Sequence, residues 1–421
     1  MGFSRHPRMS GTLATLRSEE GHPFGAYVAL PATGCGPGLL LCDAAGVDAH
    51  VRRLADTYAE EGYVVLVPDL SARLPAVEPG ARHSTPASAP PADARFDEFG
   101  GMRDLAAAVA ALRGQRAFRG KVGIVAFAAA GRLALRAAAD RLVDCAVIYD
   151  GTGCEDALDA LGCGMPTVLH VAGDDPLNTP GSLATIGEAL AANRDTELYV
   201  YPGARRGFAM PGRETHDAPA AGMAYTRTLA LLRRVLGPHH DLSALWEAHR
   251  SCEFVSRDAD ATMRTMVAQP YVNHVPTMTG GFGQAELHRF YRDHFIPGNP
   301  ADMRSIPISR TVGVDRIVNE CILCFTHDRE IEWMLPGVAP TGRYVEVALV
   351  GIVTFRGDKL VHEHIYWDQA SVLVQIGLLD PSGLPVAGVE SARKVLHPEL
   401  PSNGLMRHWT RDSRVRGADG K

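Results

Sequence analysis

Six short apolar runs, each followed by a stretch of helical composition, set the limits on the first half of this chain. They fall at Leu39–Cys42, Tyr63–Pro68, Val122–Phe127, Cys145–Tyr149, Thr167–Val171 and Glu197–Tyr201. Strands that alternate with helices and are apolar throughout are buried on both faces, which only a parallel, doubly wound sheet provides. A last helix over His216–Val235 runs into Gly237-Pro238, a stop signal, and the first domain is expected to end there. The domains predicted are therefore 1–237 and 241–421. A chain of 421 residues exceeds one ordinary core, in keeping with that division.

One of these strand-to-helix transitions reads Ala126-Phe127-Ala128-Ala129-Ala130-Gly131, between the strand Lys121–Val125 and the helical run Arg132–Ala138. A strand, a sharp turn and a helix form the setting of a nucleophile elbow, G-x-[Ser/Cys]-x-G. The turn presents a Ser or Cys for attack on a carbonyl, and its glycines leave room for neighbouring backbone. Here the tip is Ala128, whose methyl group cannot attack, and Ala126 and Ala130 are expected to crowd the turn.

The surrounding residues resemble the dienelactone hydrolase family of α/β-hydrolases, which open enol-lactones with a Cys–His–Asp triad. The resemblance covers about the first half of the chain. It is carried by Leu39–Arg73 (LLLCDAAGVDAHVRRLADTYAEEGYVVLVPDLSAR), His170–Asp175 (HVAGDD) and Tyr201–Ala209 (YPGARRGFA). It implies that Asp175 stands at the triad acid, Arg206 at the triad His and Ala128 at the Cys. The Glu near the resting thiol becomes Asp43. Of two substrate-clamping arginines Arg73 remains, and Met210 replaces the other. A guanidinium has no lone pair with which to act as a base. The resemblance with these departures implies a hydrolase-like domain whose covalent chemistry is lost.

The second half differs: helical over Leu242–Met266, then apolar strands near Ile317–Phe325, Tyr344–Phe355 and Leu360–Trp367. Helices first and a meandering sheet later make an α+β unit. Ser309–Gly313, Phe325–His327, Trp333–Gly337 and especially His362–Gln369 (HEHIYWDQ) resemble the SnoaL-like branch of the nuclear-transport-factor-2-like superfamily, over about Leu242–Leu379. That resemblance implies a cone of curved antiparallel sheet around a pocket, and in its cyclases an acidic residue near the end of the last strand as general acid/base. On a strand His362, His364, Tyr366 and Asp368 share one face, and Glu363, Ile365 and Trp367 the other. With the first set taken to line the pocket, Asp368, His364 and His327 are the catalytic candidates. Arg310, Tyr366, Trp367, His274 and Trp333 are the substrate-binding candidates. Asp368 could instead cap the helical run Ala370–Leu378. A metal held by His362, His364 and His327 is conceivable, yet no spacing rule supports it, so neither metal nor cofactor is expected.

Composition narrows the partners. A formal charge of −6, with no basic run, argues against nucleic acid and anionic membranes. No apolar stretch is long enough to span a bilayer, and no signal peptide opens the chain, so a cytoplasmic location is expected. The eight cysteines are scattered, as reduced thiols would be. Cys321 and Cys324 lie three apart on a strand, face opposite ways and are not expected to share a metal. The reading that follows is a cofactor-independent cyclase, isomerase or dehydratase acting on a polyketide-like or aromatic small molecule in the C-terminal pocket. A non-catalytic ligand-binding protein and a residual lactone or ester hydrolase are the alternatives. The apolar strand Val345–Phe355 adds an expected homodimer through the C-terminal half.

Overall fold

The computed structural model describes residues 11–43, 45–73, 97–151, 154–157, 164–191, 195–406 and 408–409. The expected loop Leu74–Asp97 lies outside the described residues except for Asp97. The chain divides into two compact units, one of Pro7–His240 and one beginning at Asp241.

The N-terminal unit is an eight-stranded sheet in the order β1-β2-β4-β3-β5-β6-β7-β8. Its strands are β1 Thr12–Arg17, β2 Pro23–Ala29, β3 Gly36–Asp43, β4 Val64–Pro68, β5 Phe118–Phe127, β6 Cys145–Tyr149, β7 Thr167–Ala172 and β8 Thr196–Tyr201. From β4 to β8 neighbouring strands are parallel. β1, β2 and β4 pair antiparallel. The helices are α1 Ala49–Glu60, α2 Glu98–Arg113, α3 Ala130–Ala139, α4 Pro180–Ala191 and α5 Ala218–Leu236. This is an α/β-hydrolase-type fold. β3, β4, β6 and β7 are buried along their whole length, as their unbroken apolar sequences require. α5 starts on the Asp217 cap and ends at Gly237, where φ is +78°. The sheet has two strands beyond the six apolar runs, β1 and β2. β1 is an edge strand with no fully buried side chain, so its apolar signal is weak.

The C-terminal unit opens with α6 Leu242–Phe254 and α7 Ala259–Arg264. β9 Met266–His274 and β10 Thr279–Phe282 follow, then α8 Gly283–Arg289, which runs into a π-helical turn at Phe290–Phe295. After β11 Arg304–Val312, β12 Arg316–Thr326, β13 Tyr344–Arg356 and β14 Lys359–Trp367 come α9 Gln369–Ile376 and α10 Glu390–Leu396. The six strands are ordered β10-β9-β14-β13-β12-β11, and only the β9/β14 pair is parallel. β9, β10 and β11 were not expected from the sequence. β9 and β11 contain Pro270 and Pro307, which lie where their pairing shifts register. One face of the sheet carries the core, built from Trp246, Tyr291, Phe295, Phe325, Trp333, Ile365 and their neighbours. Among the described residues no helix is long and apolar enough to cross a membrane.

Candidate functional site

Two sites arise where the sequence placed chemistry. In the N-terminal unit β5 leaves the sheet core and the chain turns through Ala128 into α3. Ala128 sits at φ +49°, the left-handed region that a residue with a Cβ avoids. The turn is pinned by Ala128 N donating to Tyr149 O (2.9 Å) and Gly131 N donating to Ala128 O (2.9 Å). The elbow geometry is therefore present with a methyl group at its tip. Ala126 and Ala130 do not prevent it, contrary to expectation, and both pack fully buried. The close approach falls one residue later. A Cβ on Gly131 would lie 2.8 Å from Ile148 Cγ2 and 3.2 Å from Gly151 Cα.

The end of β6 gathers the other loops. Asp150, buried and itself at φ +49°, accepts hydrogen bonds from Ala172 N and Gly207 N, both at 2.8 Å. These bonds tie down the end of β7, which leads to Asp175, and the loop that carries Arg206. Burial raises the Asp150 pKa, against the pull of those two amides. Asp175 Oδ2 and Arg206 Nε are 2.8 Å apart. Arg206 thus meets the carboxylate from the position the resemblance assigns to the histidine. Leu177 N (3.0 Å) and Asn178 Nδ2 (3.2 Å) also donate to Asp175. Asp43 accepts from Ala45 N (2.9 Å) and has Arg213 at 3.5 Å. Arg73 is not poised as a substrate clamp. Its Nε and Nη2 engage both oxygens of buried Asp104 on α2, at 2.7 and 2.8 Å. Met210, in place of the second arginine, is buried.

The C-terminal site is a cavity of about 70 Å3 on the core face of the sheet. β9, β11, β12, β13 and β14 floor it, and α6, the π-helical turn and the loop residue Trp333 add the remaining wall. The face of β14 that lines it carries Glu363 and Ile365. This reverses the sequence assignment. His362 and His364 lie on the other face, partly exposed, with their rings 5.0 Å apart. Tyr366 is 42 % exposed on the same side. The physical reason is burial. Turning Ile365 and Trp367 inward gains roughly 1.5–3 kcal/mol each, and Glu363 goes with them because it finds a partner there.

Asp368 is exposed and lies outside the cavity. Its Oδ1 accepts from Ser371 N (3.1 Å), capping α9. His327 is buried on a loop, with Nδ1 3.1 Å from Thr341 Oγ1 and its pKa lowered by burial, and it does not line the cavity. Arg310 also lies outside; it donates to Asn319 Oδ1 (2.9 Å), which does line the cavity. Trp367 lies just behind the wall, 5.6 Å from Trp333 between ring centres, and donates to Gln369. His274 and Trp333 do line the cavity. His274 has Nδ1 3.2 Å from Thr279 O, and burial takes its pKa down to about 4, against the charge of Glu363. Trp333 Nε1 donates to Asn299 Oδ1 (2.9 Å).

Four polar residues were missed from sequence: Glu253 on α6, Tyr291 on the π-helical turn and Glu363 on β14, which line the cavity, and His249 on α6, which meets both carboxylates from outside the lining. All four are buried. His249 Nε2 is 3.1 Å from Glu253 Oε1 and 3.1 Å from Glu363 Oε1, and the imidazole stacks on Trp246. Burial alone would push the His249 pKa down, but the two carboxylates overcome it and bring the value up to about 10. Glu253 is raised by its own burial, and Tyr291 is raised by burial and by the two neighbouring carboxylates. The signal was present in His249-x-x-x-Glu253, whose spacing puts both side chains on one face of a helix. What the sequence did not show was that this face meets β14.

Family comparison agrees with the N-terminal architecture. The sequence pattern of the Dienelactone hydrolase family matches residues 24–236. A carboxymethylenebutenolidase of Pseudomonas putida is 32 % identical over 231 residues, covering 52 % of this chain and 94 % of that protein. Carboxymethylenebutenolidase 1 of Cupriavidus pinatubonensis is 28 % identical over 229 residues, covering 53 % and 97 %. The crystal structure of a dienelactone hydrolase from Anabaena variabilis aligns at 20 % identity and a TM-score of 0.42, over 54 % of this chain and 99 % of that one. Through residues 24–236 the chain belongs to the dienelactone hydrolase family.

Proposed function

We propose that the C-terminal cavity is where this protein does its chemistry: proton transfer on a small, largely apolar molecule, in the manner of an isomerase, dehydratase or cyclase. The observation that carries the reading is an apolar cavity walled by the carboxyl groups of Glu253 and Glu363, the imidazole of His274 and the phenol of Tyr291, all buried. A substrate held there meets groups able to take a proton from carbon and return one to oxygen, a pairing worth about 10²–10⁴ in rate. The mainly antiparallel sheet, with α6, α7, α8 and α9 on its core face, supports the SnoaL-like reading of this unit. The N-terminal unit keeps the hydrolase scaffold, and we read it as having lost covalent hydrolysis. Ala128 supplies no nucleophile at the elbow, and Arg206 supplies no base beside Asp175.

The test does not depend on the identity of the natural substrate. Small enolisable ketones incubated with the full chain in D2O exchange their α-protons if the cavity catalyses enolisation, and NMR follows the exchange. Glu363→Gln and Tyr291→Phe are each expected to slow it by about 10²-fold. Exchange at the buffer rate across the panel, with ligand line-broadening retained, would assign the cavity to binding alone. A hydrolase reading is favoured by the family membership itself. It predicts dienelactone turnover that is lost in Asp175→Asn, where we expect none above background in the unmodified chain.

A further inference from the structure

The hydrogen bonds around His249 fix where its protons sit. The Thr265 hydroxyl donates its one hydrogen to Thr262 O at 2.6 Å. It must therefore accept from His249 Nδ1, also at 2.6 Å, and Nδ1 carries a hydrogen. Nε2 is left facing two carboxylate oxygens at equal distance. One N–H can be directed at only one of them. Glu363 Oε1 is buried without a hydrogen bond, and so is the Tyr291 hydroxyl beside it. Two buried carboxylates and a neutral imidazole lack two positive charges, which either two protons or one divalent ion would supply.

The three ligand atoms, His249 Nε2 and one oxygen each from Glu253 and Glu363, lie within 4.8 Å of one another. Ligands about 2.0–2.2 Å from a shared ion stand about 3–3.5 Å apart, and both nitrogen–oxygen separations here are 3.1 Å. The Nδ1-to-Thr265 bond is the outer-shell contact that orients a ligating imidazole. We propose that His249, Glu253 and Glu363 bind one divalent cation, with the remaining coordination positions turned toward the cavity. A mixed imidazole and carboxylate set without thiolate suits Zn²⁺, Mn²⁺ or Fe²⁺. The site differs from the His362–His364–His327 grouping considered from the sequence, whose first two members lie on the opposite face of β14 from Glu363. The inference rests on the cavity as the chemical site, and the bound ion would be what polarises the oxygen of a molecule held there.

Metal content tests this without any substrate, so its failure leaves the proton-transfer reading standing. The full chain is stripped with EDTA, equilibrated with Zn²⁺, Mn²⁺ or anaerobic Fe²⁺, gel-filtered and analysed by inductively coupled plasma mass spectrometry. One ion per chain is expected for at least one metal, with a melting temperature above that of the EDTA-treated protein. Glu363→Gln and Glu253→Gln are each expected to weaken binding about 100-fold, and Thr265→Val by about 10–100-fold through the outer shell. If the glutamine variants melt no lower than the EDTA-treated parent, misfolding is ruled out as the cause. His362→Asn with His364→Asn leaves the stoichiometry unchanged. Substoichiometric metal with all three cations overturns the proposal, and so does binding that survives Glu363→Gln but vanishes in the His362/His364 variant.

Discussion

Glu363 and His364 are adjacent in the chain and stand in opposite environments, one buried and one partly exposed. The two faces of β14 were legible from the sequence as two sets. Which set turns inward was not, because polar residues drew the assignment and apolar ones decide it. Ile365 and Trp367 outweigh His362 and Tyr366 in the burial they gain, and a single carboxylate follows them in because α6 brings His249 against it. Asp368 shows the same lesson at the strand end, where its hydrogen bond to Ser371 N makes it a helix cap. Asp368→Ala is therefore expected to cost about 0.5–2 kcal/mol of C-terminal stability. Asp368→Asn, which still caps, should cost much less. Urea unfolding of the two variants separates these outcomes, and equal losses would remove the capping account.

At the scale of elements, the six apolar runs were legible as β3 to β8 because buried parallel strands carry an unmixed apolar signal. The strands that escaped notice are the exposed edge β1, its neighbour β2, the four-residue β10, and β9 and β11, where prolines sit at register shifts. Pairing across the sheet compensates for what each segment lacks alone. In the N-terminal unit β7, β8 and α5 are joined by buried His170. Its Nδ1 lies 2.9 Å from the Tyr201 hydroxyl and its Nε2 3.0 Å from Thr228 Oγ1. Burial lowers the His170 pKa from 6.5 to about 3. The folded state thus keeps this ring neutral where the unfolded chain would protonate it. Its contribution is whole above pH 6.5 and is lost as pH falls toward 3, at up to about 1.4 kcal/mol per pH unit. His170→Gln should flatten that slope in denaturant titrations run from about pH 7 to 4, even if it lowers stability at neutral pH. An unchanged slope would show that other groups carry the acid sensitivity.

For the whole molecule, the sequence pattern changes near Gly237-Pro238, where the first domain was expected to end. The structure divides at His240 and Asp241. Composition could not say how many copies assemble. β13 puts Val345, Val347, Val353 and Phe355 into the core, while Ala348, Val350 and Ile352 on its other face stay partly exposed in a single chain. Ala348 packs beneath Ala392 of α10, and the partly exposed Val350 and Ile352 beside it favour a second copy covering them. Light scattering at micromolar concentration is expected to give twice the chain mass, and Val350→Lys to return it to one. A monomer before mutation would show that the face is tolerated in water.

The turn at Ala128 keeps its left-handed backbone although nothing at its tip can react. The bonds to Tyr149 and Gly131 are backbone bonds of the surrounding sheet and helix, so the shape of the turn does not depend on which side chain stands at its tip. A working hydrolase clears its site by converting what enters. On the proposed loss of hydrolysis, a molecule held beside this turn would leave only by dissociating. Occupancy would then follow that molecule's concentration at equilibrium, and the natural measure is a residence time.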